Sequence, residues 1–255
     1  MIIATGKTIS AAWLLGTEAL LAAGGDAFSS ILHVEQPAEP TSEESRARAL
    51  LDGFLSQHGM QDTQTVASTI FPDAIAAGRT ADELYSHYES RTFPRLRRVR
   101  PNARGTYFYR LIHLEGLTDE RHVVRNPLAE CISKIGAELQ RRGTLRSAYE
   151  LGIYRAELDA RVRMGFPCLS HLSLKVDPGH QLIHLSAIYR NQRYVERAYG
   201  NLLGLSRLQK FISSQVRLGV GELVCHATHA EIDPGVGRES LKSLVGRMRE
   251  FTAPH

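Results

Sequence analysis

Residues 169–189 read LSHLSLKVDPGHQLIHLSAIY. From Leu169 to Val176 apolar and polar side chains alternate, which is the two-residue period of a half-buried strand. Asp177-Pro178-Gly179 supplies turn chemistry and Gln181 to Tyr189 alternates again, so the pair reads as a β-hairpin. Downstream, Asn201 to Val216 carries Leu202, Leu205, Leu208, Phe211, Ile212 and Val216 at helical spacing, a long buried helix. Gly219-Val220-Gly221 ends it, and Glu222 to His226 reads as a further strand. Upstream, Pro127 to Arg141 has proline in its first turn and Leu128, Ile132, Ile135 and Leu139 on one face. Hairpins mixed with long helices, without strict βαβ alternation, predict an α+β fold in which a sheet packs on helices.

Working outward, Ile9 to Ala23 is apolar and follows Lys7, which imitates a signal peptide, but Thr17 and Glu18 interrupt it. An amphipathic helix stopped by Gly24-Gly25 explains it better. Ala27 to Val34 reads as a strand, and a loop from Pro37 leads into a helix ending near His58. The β-branched Thr65 to Phe71 predicts a short strand, as does Tyr107 to Leu114. Thr80 to Tyr88 reads as a helix followed by an arginine-rich loop, and Ser240 to Phe251 as a short amphipathic helix. We expect a core over residues 91–255 with an N-terminal α/β extension over 1–90 packed on it, or a single domain of 255 residues.

With 43% hydrophobic residues the chain can bury a substantial core. No apolar run reaches the length of a membrane span, so a soluble protein is expected. The odd set Cys131, Cys168 and Cys225 suits neither a disulfide framework nor a zinc ribbon, and reduced thiols in the cytoplasm are the natural reading. The net charge of +4 owes much to Arg91, Arg95, Arg97, Arg98, Arg100, Arg104 and Arg110. That cluster reads as a solvated face, a phosphate loop or a nucleic-acid grip, the last disfavoured because no aromatics interleave it before Tyr107.

Four positions are candidates for chemistry. Cys168, in Met164-Gly165-Phe166-Pro167-Cys168-Leu169, sits at the start of the first hairpin strand, where a lone cysteine is most often a small core residue. Hairpin geometry returns Arg190, in Tyr189-Arg190-Asn191-Gln192, toward that end of the sheet, where a guanidinium can hold a phosphate bidentately. Asn201 follows Gly200 at the head of the long helix. It is either an N-cap or an amide able to pair with both N3–H and O4 of uracil. His226 and His229 lie three apart, but no further ligands stand at metal spacing, so His229 reads as a hydrogen-bonding residue and no metal is expected.

Phe166-Pro167-Cys168, Tyr189-Arg190, Asn201, Val220-Gly221-Glu222 and Thr228-His229 together resemble, in order and approximate spacing, the C-terminal core of the thymidylate synthase and deoxycytidylate hydroxymethylase superfamily. Arg155-Ala156-Glu157-Leu158-Asp159 looks like the segment before that family's cysteine, and the resemblance spans about Arg146 to Glu231. It implies a thymidylate synthase-like layered fold, a twisted mixed β-sheet packed with long helices, in a homodimer whose sheets pack face to face. It implies that Cys168 adds to C6 of a pyrimidine nucleotide monophosphate, preparing C5 for methyl or hydroxymethyl transfer from 5,10-methylenetetrahydrofolate. Arg190 and Arg146, the latter from a partner subunit, would hold the 5′-phosphate with Arg104, which lies in a segment like the family's phosphate loop. Asn201 would read uracil, His229 and Glu231 would meet the sugar, and the general acid–base glutamate would be Glu130 or Glu138. The chain departs from the family at Asn191-Gln192-Arg193, where a serine and an aspartate are usual, and at Glu231, where a tyrosine is usual. Only Arg146 remains of the family's paired phosphate arginines, and 26 residues follow His229 where the family has a longer closing tail. The alternative is a diverged nucleotide-binding sensor or scaffold.

Overall fold

A computed structural model describes the chain except residues 39–40, 119–120, 142–144, 146 and 253–255. Along the chain run β1 (Ile2–Gly6), α1 (Ile9–Ala22), β2 (Asp26–Val34), α2 (Ser42–Gln57), α3 (Thr63–Ser68), α4 (Asp73–Ala76) and α5 (Ala81–His87). Then come α6 (Phe93–Leu96), α7 (Tyr107–Ile112), β3 (Leu114–Thr118), β4 (Arg121–Arg125), α8 (Pro127–Gln140), β5 (Glu150–Gly152) and α9 (Ala156–Asp159). The last part holds β6 (Leu169–Asp177), β7 (Leu182–Tyr189), β8 (Gln192–Arg193), α10 (Tyr199–Gln215), β9 (Gly219–Glu231) and α11 (Arg238–Arg249). The main sheet has the order β1-β2-β9-β7-β6-β5 with β8 beside β9, and β3 and β4 form a separate hairpin. Pairing is mixed: β1 with β2, β7 with β9 and β8 with β9 are parallel, and the other contacts of this sheet are antiparallel. The α+β expectation therefore stands, and strands from residues 2–34 share one sheet with those from 150–231.

One face of the sheet is covered by α1 and α10. Trp13 of α1 is fully buried there and its indole N–H donates to the Tyr194 carbonyl at 2.8 Å. The inward side chains alternate along each strand, and then the alternation slips by one residue. On β9, Leu223, Cys225 and Ala227 point in, and next Ala230; on β2, Val34, Leu32 and Ser30, and next Ala27. On β6, Val176, Leu174 and Leu172 are followed by Leu169, and from β7 to β8, Leu185, Ala187 and Tyr189 are followed by Gln192. These slips lie side by side, because Ala227 pairs with Ser30 and Tyr189, Leu169 with Tyr189, and Ala230 with Ala27 and Gln192. A bulge at Leu169/His171 and a left-handed Ser29 (φ 63°) mark the same line. Aligned irregularities of this kind kink a sheet and re-aim the side chains along the fold line.

Several local expectations are corrected. Thr65–Phe71 is not a strand. Asp62 caps α3 by accepting from Thr65 N at 2.6 Å, and α3 packs on α10 where Gly200 and Gly204 let the two backbones approach. Tyr107–Leu114 is mostly helix, because Thr106 caps it through Tyr109 N at 3.1 Å and Arg110 is buried on its inner side. The arginine-rich segment is not a plain loop, since π-helical, α-helical and 3₁₀ turns occupy Tyr88–Thr92, Phe93–Leu96 and Arg100–Asn102. Asn201 is not an N-cap: α10 begins two residues earlier and continues directly from a π-helical turn over Tyr194–Ala198. The final strand is also longer than Glu222–His226, and Gly219-Val220-Gly221 belongs to it.

Candidate active site

The kink gathers four of the residues expected at the site, Cys168, Arg190, His229 and Glu231. Cys168 immediately precedes β6 and Arg190 immediately follows β7, and the backbone N–H of Arg190 donates to the Cys168 carbonyl at 2.9 Å. The guanidinium of Arg190 lies over the Phe166 ring, 3.8 Å from its centroid, and donates to the carbonyls of Pro167 (3.1 Å) and Phe166 (2.9 Å). Arg190 thus clamps the turn that presents Cys168. Thr228 hydroxyl donates to the Arg190 carbonyl at 3.0 Å, joining the turn to β9.

A hydrogen-bonded chain beside this turn joins β2, β9 and the link between β7 and β8. Asp26 Oδ2 lies 2.8 Å from His229 Nε2, His229 Nδ1 lies 2.7 Å from Asn191 Oδ1, and Asn191 Nδ2 donates to Glu231 Oε1 at 3.1 Å. Both ends are carboxylates, which only accept when ionised, so Asn191 points its NH₂ at Glu231 and its carbonyl at His229. Asp26 and Asn191 were not selected from sequence. Asn191 occupies a serine position of the resemblance, and Asp26 lies more than two hundred residues away in the chain, so only strand pairing makes it a neighbour.

The three thiols differ. Burial pushes Cys131 up to about 11 and Cys225 up to about 12, which makes both poor sources of thiolate. Cys168 is the half-buried one. Tyr107, also unforeseen, faces it from α7, with its ring 6.4 Å from that of Tyr189. Burial chiefly, and then the nearby Cys168 sulfur, push the Tyr107 hydroxyl up to about 12, so it stays a neutral phenol able to donate at neutral pH.

Behind this turn, Arg110 and Asp159 form a fully buried bidentate pair at 2.5 and 3.0 Å. Arg110 also donates to the carbonyls of Ile153 (3.1 Å) and Arg104 (3.1 Å), and the Arg155 backbone N–H donates to Asp159 at 3.0 Å. Burial opposes the Asp159 charge, but hydrogen bonds from Arg110 and from the Arg155 backbone outweigh it and hold the carboxyl below its ordinary range. Arg110 therefore leaves the surface arginine cluster and becomes the brace of the 153–159 segment.

The remaining selected residues lie apart from this turn or outside the description. Arg104 is exposed, with Nη1 3.5 Å from the Leu158 carbonyl. Glu130 makes an exposed bidentate pair with Arg125, and Glu138 lies 3.6 Å from Arg141 on α8. Asn201 is buried on α10, 4% exposed, and its amide makes no hydrogen bond among the described residues. Arg146 lies outside the described residues. Among the described residues no group of three or more His, Cys, Asp or Glu is placed to hold a metal, and no helix is long and apolar enough to cross a membrane. No family model matches the chain, and no curated protein matches its sequence.

Proposed function

We propose that the chain is a thymidylate synthase-like enzyme in which Cys168 attacks C6 of a uracil nucleotide monophosphate, the activating step of C5 methyl or hydroxymethyl transfer. The observation that carries this reading is the single accessible thiol, clamped by Arg190 at a sheet kink beside the His229–Asn191–Glu231 chain. Sulfur addition forms the S–C6 bond and moves the π electrons toward C5 and the O4 carbonyl. C5 takes a proton from water, loses its original hydrogen, and re-forming the double bond expels the thiolate. Arg190 keeps Nη1 free of protein partners among the described residues, for a phosphate oxygen. The resemblance would add Asn201 at the base edge and Arg104 and Arg146 at the phosphate; Asn201 and Arg104 lie apart from the Cys168 turn, and Arg146 is outside the described residues.

The donor implied by the resemblance, 5,10-methylenetetrahydrofolate, needs a flat stacking surface beside the nucleotide. Near Cys168, Arg190 covers Phe166 and Tyr107 meets Tyr189 edge-on, while Tyr154, 41% exposed, lies 6.1 Å from Phe166. No step is derived through the donor. Asp26 and Asn191 hold both ring nitrogens of His229, which favours as second reading a diverged nucleotide-binding sensor or scaffold. The homodimer is part of the first reading, and the sheet face opposite α1 and α10 is the surface offered for it.

Release of tritium from 5-tritiated uridylate and deoxyuridylate, with no donor added, decides between the two readings. The wild-type chain should release it slowly and Cys168→Ser should release none, since an alcohol is a far poorer nucleophile at neutral pH. Nucleotide binding without any exchange would select the second reading.

A further inference from the structure

A second site lies on the far side of α10 from the sheet. Between α10, α2 and the turn entering α4 is a cavity of about 480 Å³, inside the range of small-molecule pockets and sharing no lining residue with the Cys168 site. Its floor is aromatic, with Phe71 and Phe211 rings 5.0 Å apart at 36°. Three cations line it: Arg48 from α2, and Arg207 and Lys210 from α10.

Neither acid in the same lining makes an ion pair with them among the described residues, although Asp73 lies near enough to Arg207 to attract it. Glu44 is buried and its carboxylate accepts from the Ser10 backbone N–H at 3.0 Å, so it serves the N-terminus of α1. Asp73 lines the cavity without making an ion pair within 4 Å among the described residues, and Arg48 reaches no closer than 4.0 Å to Asp52. Arg207 donates through Nη2 to Gln64 at 2.8 Å, but its Nη1 is buried with no hydrogen-bond partner among the described residues. The guanidinium of this lining residue thus keeps donor capacity that no protein group uses, where buried donors are nearly always satisfied. Lys210, on the same helix face, is exposed and unpaired among the described residues.

We propose that this cavity binds a small amphipathic organic anion, with a carboxylate or phosphate head on Arg207 and Lys210 and a flat apolar body on Phe71 and Phe211. The site is separate from the Cys168 turn, so it stands or falls independently of the nucleotide reading. Calorimetry on the full chain tests it with four probes: phenyl phosphate, benzoate, inorganic phosphate and benzyl alcohol. Phenyl phosphate or benzoate should bind at least about tenfold more tightly than inorganic phosphate and benzyl alcohol, and which of the two wins names the head group. Arg207→Gln and the surface variant Lys210→Gln should each weaken the better probe about tenfold, while Arg190→Ala should leave it unchanged. Equal binding of inorganic phosphate would reduce the site to surface charge, equal binding of benzyl alcohol would remove the role of the cations, and loss of binding in Arg190→Ala would move the probe to the Cys168 turn. Each of these, or no heat from any probe, overturns the proposal.

Discussion

At the residue scale, Arg110 and Asp159 show how little a side chain's sequence neighbourhood reveals of its role. Arg110 belongs by sequence to a surface arginine run, yet it is 1% exposed and bonded through three nitrogens. Breaking a buried pair leaves an uncompensated charge, so Asp159→Ala should destabilise the chain by about 3–5 kcal/mol. The pH dependence follows from the direction of the shift. The folded carboxyl titrates below its unfolded value of about 3.9, so its stabilisation is complete above that pH and is lost as pH falls through the lower folded value. Urea midpoints measured from pH 7 down to pH 3 should therefore fall more steeply for the wild type than for Asp159→Ala. Parallel curves would mean that the pair contributes no linkage. Cys168 and Arg190 were readable because hairpin arithmetic alone returns Arg190 to the cysteine end. Asp26 and Tyr107 were not, since each reaches the site through packing that no local pattern encodes.

At the element scale, periodicity was legible wherever an element is regular and half-buried. The β6–β7 hairpin, α1, α2, α8, α10 and α11 all follow their patterns. It failed where a cap or a close contact overrules propensity. The β-branched run in α3 is helical because Asp62 caps it and because α10 offers Gly200 and Gly204 as a groove. It failed again at the kink, where the slip in alternation hid the far half of β9, the part that carries His229 and Glu231. The α3–α10 contact makes a sharp prediction. A Cβ on Gly204 would lie 2.7 Å from the Ala67 carbonyl and 2.9 Å from Ile70 Cβ, and one on Gly200 would lie 2.6 Å from Val66 Cβ. Alanine normally gains up to about 1 kcal/mol over glycine inside a helix, but overpacking against backbone costs about 1–3 kcal/mol. Gly204→Ala should therefore lower the thermal midpoint. Gly53→Ala in α2 and Gly136→Ala in α8, where nothing lies within 4 Å of the new Cβ, should raise it. Calorimetric melts of the three variants check the sign, and a stabilised Gly204→Ala would mean that α3 moves aside at no cost.

At the scale of the whole molecule, the sheet has two unequal faces. One is sealed by α1 and α10, while the other carries Ile3 (60% exposed), Ile188 (40% exposed) and half-buried Val224 and Ile31 among paired polar groups. Glu150 accepts from Lys175 at 2.7 Å and Ser173 at 2.9 Å and lies 2.7 Å from His171, while His33 lies 3.1 Å from Glu222. Most charge on this face is thus matched locally and does not forbid a flat contact. Six strands about 4.8 Å apart and about eight residues long present roughly 600 Å², close to the roughly 800 Å² per partner of a stable interface. A second copy meeting this face about a two-fold axis satisfies both sides with the same surface. The wild-type chain should therefore sediment as a dimer at micromolar concentration. Ile188→Lys, which places a charge at the middle of the face without touching the helix-covered side, should sediment as a folded monomer with unchanged far-ultraviolet circular dichroism. A wild-type monomer across that range would remove the dimer from the proposed function. A dimer that survives Ile188→Lys would place the interface on another surface.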